Sequence, residues 1–301
     1  SLVVGHSATS VAAQLYVGEG PGDSTTDLAW DTHSLIAENG SLLTESERFC
    51  DEPQILLADI DLDRIRADRM RLNTFRECQL EHATSTRNWT RHIAQLVPPE
   101  CPDTVRAVSR NPYVPDDPIK RREHANEVRR IQVDGLVKRL QATGQPKIVL
   151  GVSGGLDSTL ALTVAVQAMD HLQRDRTDII GVSMPGFGTS ERTRANALAL
   201  MDALGVTAKE IDVRRSSQLM LEDIGHPAAT GEAQYDISFE NVQAGARTSL
   251  LFRLANHENG LVLGTGDLSE LALGWCTYGV GDQMSHYSVN GSVPKTLVKH
   301  I

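Results

Sequence analysis

The sequence is poor in cysteine, has no long apolar run and carries no excess of positive charge. Its 301 residues include four cysteines, Cys50, Cys78, Cys101 and Cys276. They are scattered and no pair has CxxC spacing, which argues against a zinc site or a redox pair. Four thiols in a chain this long do not make a disulfide framework, so a reducing compartment, the cytoplasm, is expected. No apolar stretch approaches the ~18 residues that span a membrane, and no charged-then-apolar leader opens the sequence. The formal net charge is −10, so non-specific binding to nucleic acid is not expected. The run Lys120-Arg121-Arg122 with Arg129-Arg130 reads as a solvated helix face. His6, His33, His226 and His300 lack metal-ligand spacing. Neither GxxxxGK[ST] nor GxGxxG occurs.

What is present divides in two. Residues 1 to about 62 read as β-rich. Val11–Val17 is strand-like, and Glu38-Asn39-Gly40 between Ser34–Ala37 and Ser41–Thr44 is a hairpin signal. Gln54–Ile60 reads as a further strand, and Asp61 to about Leu96 as helix. Six of the 12 prolines lie between Pro98 and Pro118, which places a linker at 98–118 between domains at 1–97 and 119–301. Beyond it, helices expected at Ile119–Ala142, Ser158–Leu172, Glu191–Leu204, Phe239–His257 and Leu268–Leu273 alternate with strands. The strands are Lys147–Val152, Asp178–Met184, Val206–Val213 and Leu261–Gly264. That alternation predicts an α/β fold, a parallel doubly wound sheet with ligands at the carboxyl ends of its strands.

The first such strand runs into Ser153-Gly154-Gly155-Leu156-Asp157-Ser158. Two glycines let the backbone approach an anion, the helix start adds about half a positive charge, and Ser153 and Ser158 offer hydroxyls. Asp157 is anomalous in a phosphate cradle. A carboxylate about 4 Å from a phosphate oxygen costs roughly 4 kcal/mol at an effective dielectric of 20. It makes sense if Mg²⁺ lies between it and the phosphates. The plain alternative is a Gly-Gly turn capped by Asp157 and Ser158.

Gly264-Thr265-Gly266-Asp267-Leu268-Ser269-Glu270 repeats the strand-loop-helix arrangement. Thr265 is placed to contact nucleotide and Glu270 to be a second carboxylate on the metal, or else a helix-dipole partner. The stretch Leu271–Tyr287, with Trp275, Thr277, Tyr278, Asp282 and His286, would suit a flat ring and a ribose, or is a packed surface loop. In the 239–257 helix, Phe239, Val242 and Ala246 share an apolar face. Asn241, Gln243 and Arg247 lie off it, and Gln243 and Arg247 can meet at one ligand or form a solvated polar face.

The six-residue loop resembles that of the N-type ATP pyrophosphatases. Gly151–Ser158, Met184-Pro185-Gly186-Phe187, Phe239–Arg247, Gly264–Asp282 and Pro294-Lys295-Thr296 together resemble the glutamine-dependent NAD synthetases of the long bacterial type. That resemblance implies an adenine-nucleotide α-hydrolase-like domain that adenylates deamido-NAD with ATP and amidates it to NAD. It implies that Gly151, Val152, Ser153, Gly154, Gly155, Leu156, Asp157, Ser158 and Thr265 bind ATP, and that Asp157 and Glu270 hold Mg²⁺. It further implies that Asn241, Arg247, Glu270, Trp275, Cys276, Thr277 and Tyr278 contact deamido-NAD, and that Lys295 steadies phosphate charge beside the catalytic Asp157.

Gly18-Glu19-Gly20, Ser24–Asp31 and Glu38-Asn39-Gly40 resemble the last part of the nitrilase-like α/β sandwich that supplies ammonia from glutamine in that family. The chain begins at Ser1 without Met and ends in a stretch that reads as a young helix, so it is expected to be a fragment. Its glutaminase triad is then expected upstream of Ser1, and a C-terminal segment is expected beyond Ile301. The fragment is accordingly expected not to hydrolyse glutamine. The resemblance also implies a homo-oligomer for the full-length protein. A different ligase of the same superfamily, similar to GMP synthetase or tRNA thiolation enzymes, would share the loop and the AMP product but not the acceptor. A nucleotide-binding regulatory module would have less need of paired carboxylates.

Overall fold

In the computed structural model, which describes residues 1–20, 30–90, 92–94, 104–106, 108–144, 147–274 and 284–301, the chain divides between Ser109 and Arg110 into two units. The first unit is organised by the expected hairpin. β1 (Ala13–Tyr16), β2 (Leu35–Glu38) and β3 (Ser41–Glu45) pair antiparallel in chain order. Asn39 and Gly40 both take positive φ, 45° and 83°, as a two-residue hairpin turn of this hand requires.

Three expectations fail in this unit, one of them being helix to about Leu96, since the last helix ends at Thr86 and the described residues 87–90 and 92–94 are not helical. Leu2–Ser10, inside the stretch read as β-rich, forms helix α1. Its Ser7 is fully buried and accepts a hydrogen bond from Gly40 N at 2.9 Å, so a tertiary contact with the hairpin decides its structure. Gln54–Ile60 is not a strand. A strand needs a ladder partner, and none of the described residues pairs with it; Ile55 and Leu57 are exposed. The helices α2 (Leu62–Arg71), α3 (Asn73–Glu81) and α4 (Ala83–Thr86) follow.

The second unit opens with α5 (Pro118–Thr143), capped by Asp117, whose side chain accepts from Ile119 N. Beyond it come β4 (Lys147–Gly151), α6 (Leu156–His171), β5 (Ile179–Ser183), α7 (Glu191–Leu204), β6 (Thr207–Glu210), α8 (Arg214–Asp223), α9 (Ile237–Glu258), β7 (Gly260–Gly264), α10 (Leu268–Leu273), β8 (Tyr287–Ser288) and α11 (Lys295–Val298). The strands form a parallel sheet in the order β6-β5-β4-β7-β8. Strand side chains alternate between faces. Ile148, Leu150 and Ile179 join the core under α5, α6 and α7, and Val149, Ile180, Val182 and Val262 join Ala255 of α9 on the other face. Burial on both faces explains the continuous apolar strands. The chain order reverses at β4, whose neighbours are β5 and β7, so the crevice beyond β4 is the topological switch point. No helix among the described residues is long and apolar enough to cross a membrane.

At the opposite end of the sheet Glu258 bridges Lys147 and Lys209 at 2.7 and 2.8 Å. Those hydrogen bonds hold its carboxyl at about 2, from an ordinary 4.5. A depressed carboxylate contributes stability that is complete above its unfolded value and lost as pH falls through the folded one. Glu258→Gln is therefore expected to lower the melting temperature at pH 7, with the gap to the wild type closing between about pH 4.5 and pH 2. A pH series of thermal melts followed by circular dichroism checks this; a gap independent of pH would contradict it.

Candidate active site

β4 ends at Gly151, and Val152 stays bound to the sheet by donating its N–H to Val182 O at 2.9 Å. The loop then turns at Gly154, φ 77°. A Cβ there would lie 2.5 Å from Thr193 O and 3.2 Å from Ala197 N of α7. Gly154 is thus needed both for its backbone angle and for the close passage of α7. Gly155 caps α6 without a side-chain bond, leaving the helix start unscreened by a carboxylate cap. The serines brace the turn. Ser158 is buried and donates Oγ–H to Gly155 O at 3.0 Å, while Gly155 N donates to Ser153 Oγ at 3.2 Å. Ser153 and Leu156 are exposed.

The second loop follows β7. Asp267 is fully buried and caps α10 in a reciprocal box: Glu270 N donates to Asp267 Oδ1, and Asp267 N donates to Glu270 Oε2, each at 2.9 Å. Its other oxygen faces Lys295, which opens α11. Lys295 Nζ lies 2.6 Å from Asp157 Oδ2, 3.1 Å from Asp267 Oδ2 and 3.6 Å from Glu270 Oε1. Burial pulls the Lys295 ammonium toward deprotonation, but its bonds to Asp157 and Asp267 and the charge of Glu270 outweigh it and raise its pKa. The three acidic side chains thus favour the charged form of Lys295 between the two loops.

Beside this cluster, at the carboxyl ends of β4, β5 and β7, is a cavity of about 480 Å³. Of the residues expected to bind nucleotide, Gly151, Val152, Ser153, Gly155 and Thr265 line it, together with Arg247. Asp157, Glu270 and Lys295 meet outside its wall, and Gly154 is turned toward α7. Asn241 does not line it, and its buried Oδ1 has no hydrogen-bond partner among the described residues. Trp275, Cys276, Thr277, Tyr278 and Asp282 lie outside the described residues. His286 serves the sheet instead, accepting from Val262 N through Nδ1 at 2.9 Å.

The polar side of α9 is not a solvated face. Gln243 is buried, and its Oε1 accepts from Phe187 N at 3.0 Å; Arg247 Nε donates to Met184 O at 3.1 Å. They meet at the chain leaving β5, where a Cβ on Gly186 would strike both. Backbone groups beyond the end of a strand need polar partners, and α9 supplies them. Asp267 and the Asn290–Gln132 pair escaped the sequence reading. The Asp-x-x-Glu spacing of a capping box could have drawn attention to Asp267. No local pattern marks Asn290.

Asp157 and Glu270 fit a hard cation. Their donors are carboxylate oxygens, and Asp157 Oδ1 is buried without a hydrogen-bond partner among the described residues. No group of three or more His, Cys, Asp or Glu among those residues encloses a metal by itself. Any further ligands would come from nucleotide and water.

A family model described as NAD synthase matches residues 128–301. The chain is 53% identical over 296 residues to the glutamine-dependent NAD(+) synthetase of Mycobacterium tuberculosis, covering 98% of this chain and 44% of that protein. It is 35% identical over 143 residues to the NH(3)-dependent NAD(+) synthetase of Pyrobaculum aerophilum, covering 47% of this chain and 50% of that protein. In fold it is similar to a glutamine-dependent NAD+ synthetase from Acinetobacter baumannii solved with adenosine diphosphate. The TM-score is 0.53 at 23% identity, over 99% of this chain and 45% of that one. The chain therefore spans less than half the length of the mycobacterial relative.

Proposed function

Because the chain belongs to the NAD synthase family, we propose that its second unit carries out the ATP-dependent amidation of deamido-NAD to NAD. The observation that carries this reading is the convergence of two strand-to-helix loops on Lys295, beside a cavity at the switch point of the sheet. The cavity takes the adenosine of ATP against Gly151, Val152 and Thr265. The Ser153–Ser158 loop takes the phosphates at the start of α6. Asp157 and Glu270 hold Mg²⁺, which when bound supplies Lewis-acid stabilisation of phosphate charge.

In the reaction, an oxygen of the nicotinate carboxylate attacks the α-phosphorus of ATP. The bond to the β-phosphate oxygen breaks, and pyrophosphate leaves with both electrons. Lys295, whose charged form its acidic neighbours favour, stabilises the developing negative charge. Ammonia then attacks the acyl carbon, and AMP departs from the acyl-adenylate as the amide forms with loss of a proton. Asn241, Arg247, Glu270 and residues Trp275, Cys276, Thr277 and Tyr278 are assigned to deamido-NAD.

Residues 1–97 are read as the end of a nitrilase-like glutaminase domain and its connecting helices, 98–118 as linker and 119–301 as the synthetase domain. The support is that relatives named as glutamine-dependent enzymes match through nearly the whole chain. The ammonia then comes from glutamine in the full-length protein, which acts as a homo-oligomer in the cytoplasm.

The test is to supply the full-length protein with deamido-NAD, ATP, Mg²⁺ and ammonium and to separate the products. NAD with equimolar AMP is expected. AMP without NAD would mean another acceptor, and ADP would overturn adenylation.

A further inference from the structure

We propose that Asn290 is a positioning residue that fixes the spacing of the two nucleotide-binding loops. The inference rests on reading those loops as the ATP site. Asn290 lies just beyond β8 and is completely buried. Its Nδ2 donates to two backbone carbonyls, Asp157 O and Thr265 O, each at 3.0 Å. The first carbonyl belongs to the opening turn of α6, and the second to the turn leaving β7. One amide group therefore stitches the loop that presents Asp157 to the loop that presents Thr265 and Glu270.

The orientation of that amide is itself held. Asn290 Oδ1 accepts from Gln132 Nε2 at 3.0 Å, and the same Nε2 donates to Val289 O at 2.8 Å. Gln132 is a buried polar residue on α5, far from either loop in sequence. With the Asn290 amide flipped, its carbonyl would face two carbonyls and its NH₂ would face the NH₂ of Gln132. Both amide NH₂ groups are fully used as donors in this arrangement, while Gln132 Oε1 is buried without a hydrogen-bond partner among the described residues. Lys295 also spans the loops, but through a half-exposed, flexible side chain. The rigid tie is Asn290.

The consequence falls on nucleotide geometry. Ser153 and Gly155 of one loop and Thr265 of the other form the same cavity wall, so the distance between loops sets its width. Asp157 reaches the Lys295 cluster from the residue whose carbonyl Asn290 holds. A misplacement of about 1 Å in such a site can cost about 10²-fold.

The test is equilibrium binding of ATP to this chain by calorimetry, for Asn290→Ala, Gln132→Leu and the double variant. Asn290→Ala is expected to weaken ATP binding by about tenfold or more, and Gln132→Leu by less. The double variant should bind no more weakly than Asn290→Ala, because Gln132 acts through Asn290; such non-additivity marks a shared path. An unchanged dissociation constant with a lowered melting temperature would overturn the proposal, as would additive effects.

If the alanine variant does not fold, near-isosteric Asn290→Asp sets a carboxylate against the same two carbonyls. Its KM for ATP, which does not depend on the folded fraction, is expected to rise; an unchanged KM would overturn the proposal. ATP binding with this pattern in a protein that forms no NAD would remove the substrate assigned above and leave the loop staple standing.

Discussion

Asp157→Asn is expected to reduce deamido-NAD-dependent turnover of the full-length protein by about 10²- to 10³-fold while leaving the fold intact. The two consequences separate because of where the side chain lies. It contributes to stability through the helix dipole, about 0.3–1 kcal/mol, and through a partly exposed ion pair with Lys295, a kind of contact typically worth about 1 kcal/mol or less. Nothing in the loop hangs on its carboxylate: the turn is braced by Ser153, Gly155 and Ser158. Its oxygens point elsewhere. Oδ2 is 2.6 Å from Lys295 Nζ, and Oδ1 is buried without a hydrogen-bond partner among the described residues. An amide keeps the shape but removes the negative charge that holds the ammonium, and it withdraws a ligand from the proposed metal. Steady-state kinetics beside a thermal melt decides the matter. Near-normal turnover with a slightly lowered melting temperature would reduce Asp157 to a dipole partner.

Gly154→Ala is expected to lose both stability and ATP binding. A left-handed φ of 77° is strained for alanine, and its Cβ would meet the Thr193 carbonyl at 2.5 Å, a backbone atom that cannot turn aside. Strain of this kind costs about 1–3 kcal/mol, and relief requires the loop to part from α7, which widens the phosphate cradle. Gly188→Ala is the matched control. It lines the cavity that the Ser153–Ser158 loop borders, but a Cβ there meets nothing within 4 Å. The expected outcome is a lowered melting temperature and at least tenfold weaker ATP binding, as misplacement of about 1 Å implies, for Gly154→Ala alone. Equal behaviour of the two variants would contradict the account of the loop.

The features legible in the sequence are those set by short-range physics. The apolar strands β4, β5 and β7, buried on both faces, stand out as unbroken runs, and the two strand-to-helix loops follow directly from them. The hairpin at Asn39-Gly40 is equally local, since those two residues accept positive φ. What was missed depends on partners distant in the chain. α1 is helical inside a stretch that reads as β-rich, and its Ser7 docks on the hairpin. Gln54–Ile60 has the apolar content of a strand but no ladder. Gln243 looks like surface until the chain leaving β5 is seen to need its carbonyl. Asn290 and Gln132 are 158 positions apart, and nothing near either one reveals that they meet. The charged site is half legible: Asp157, Glu270 and Lys295 stand out in their motifs, whereas Asp267, which completes their ring, reads locally as a helix cap.

The central claim is that the Ser153–Ser158 loop supports cleavage of ATP between its α and β phosphates. Exchange of labelled pyrophosphate into ATP tests it most directly, because the exchange reverses adenylation and needs no ammonia. With deamido-NAD and Mg²⁺ present, the full-length protein is expected to incorporate label into ATP, to do so only when deamido-NAD is added, and to lose the exchange in Asp157→Asn. Amidation that proceeds without any exchange, or exchange that survives the substitution undiminished, would contradict it.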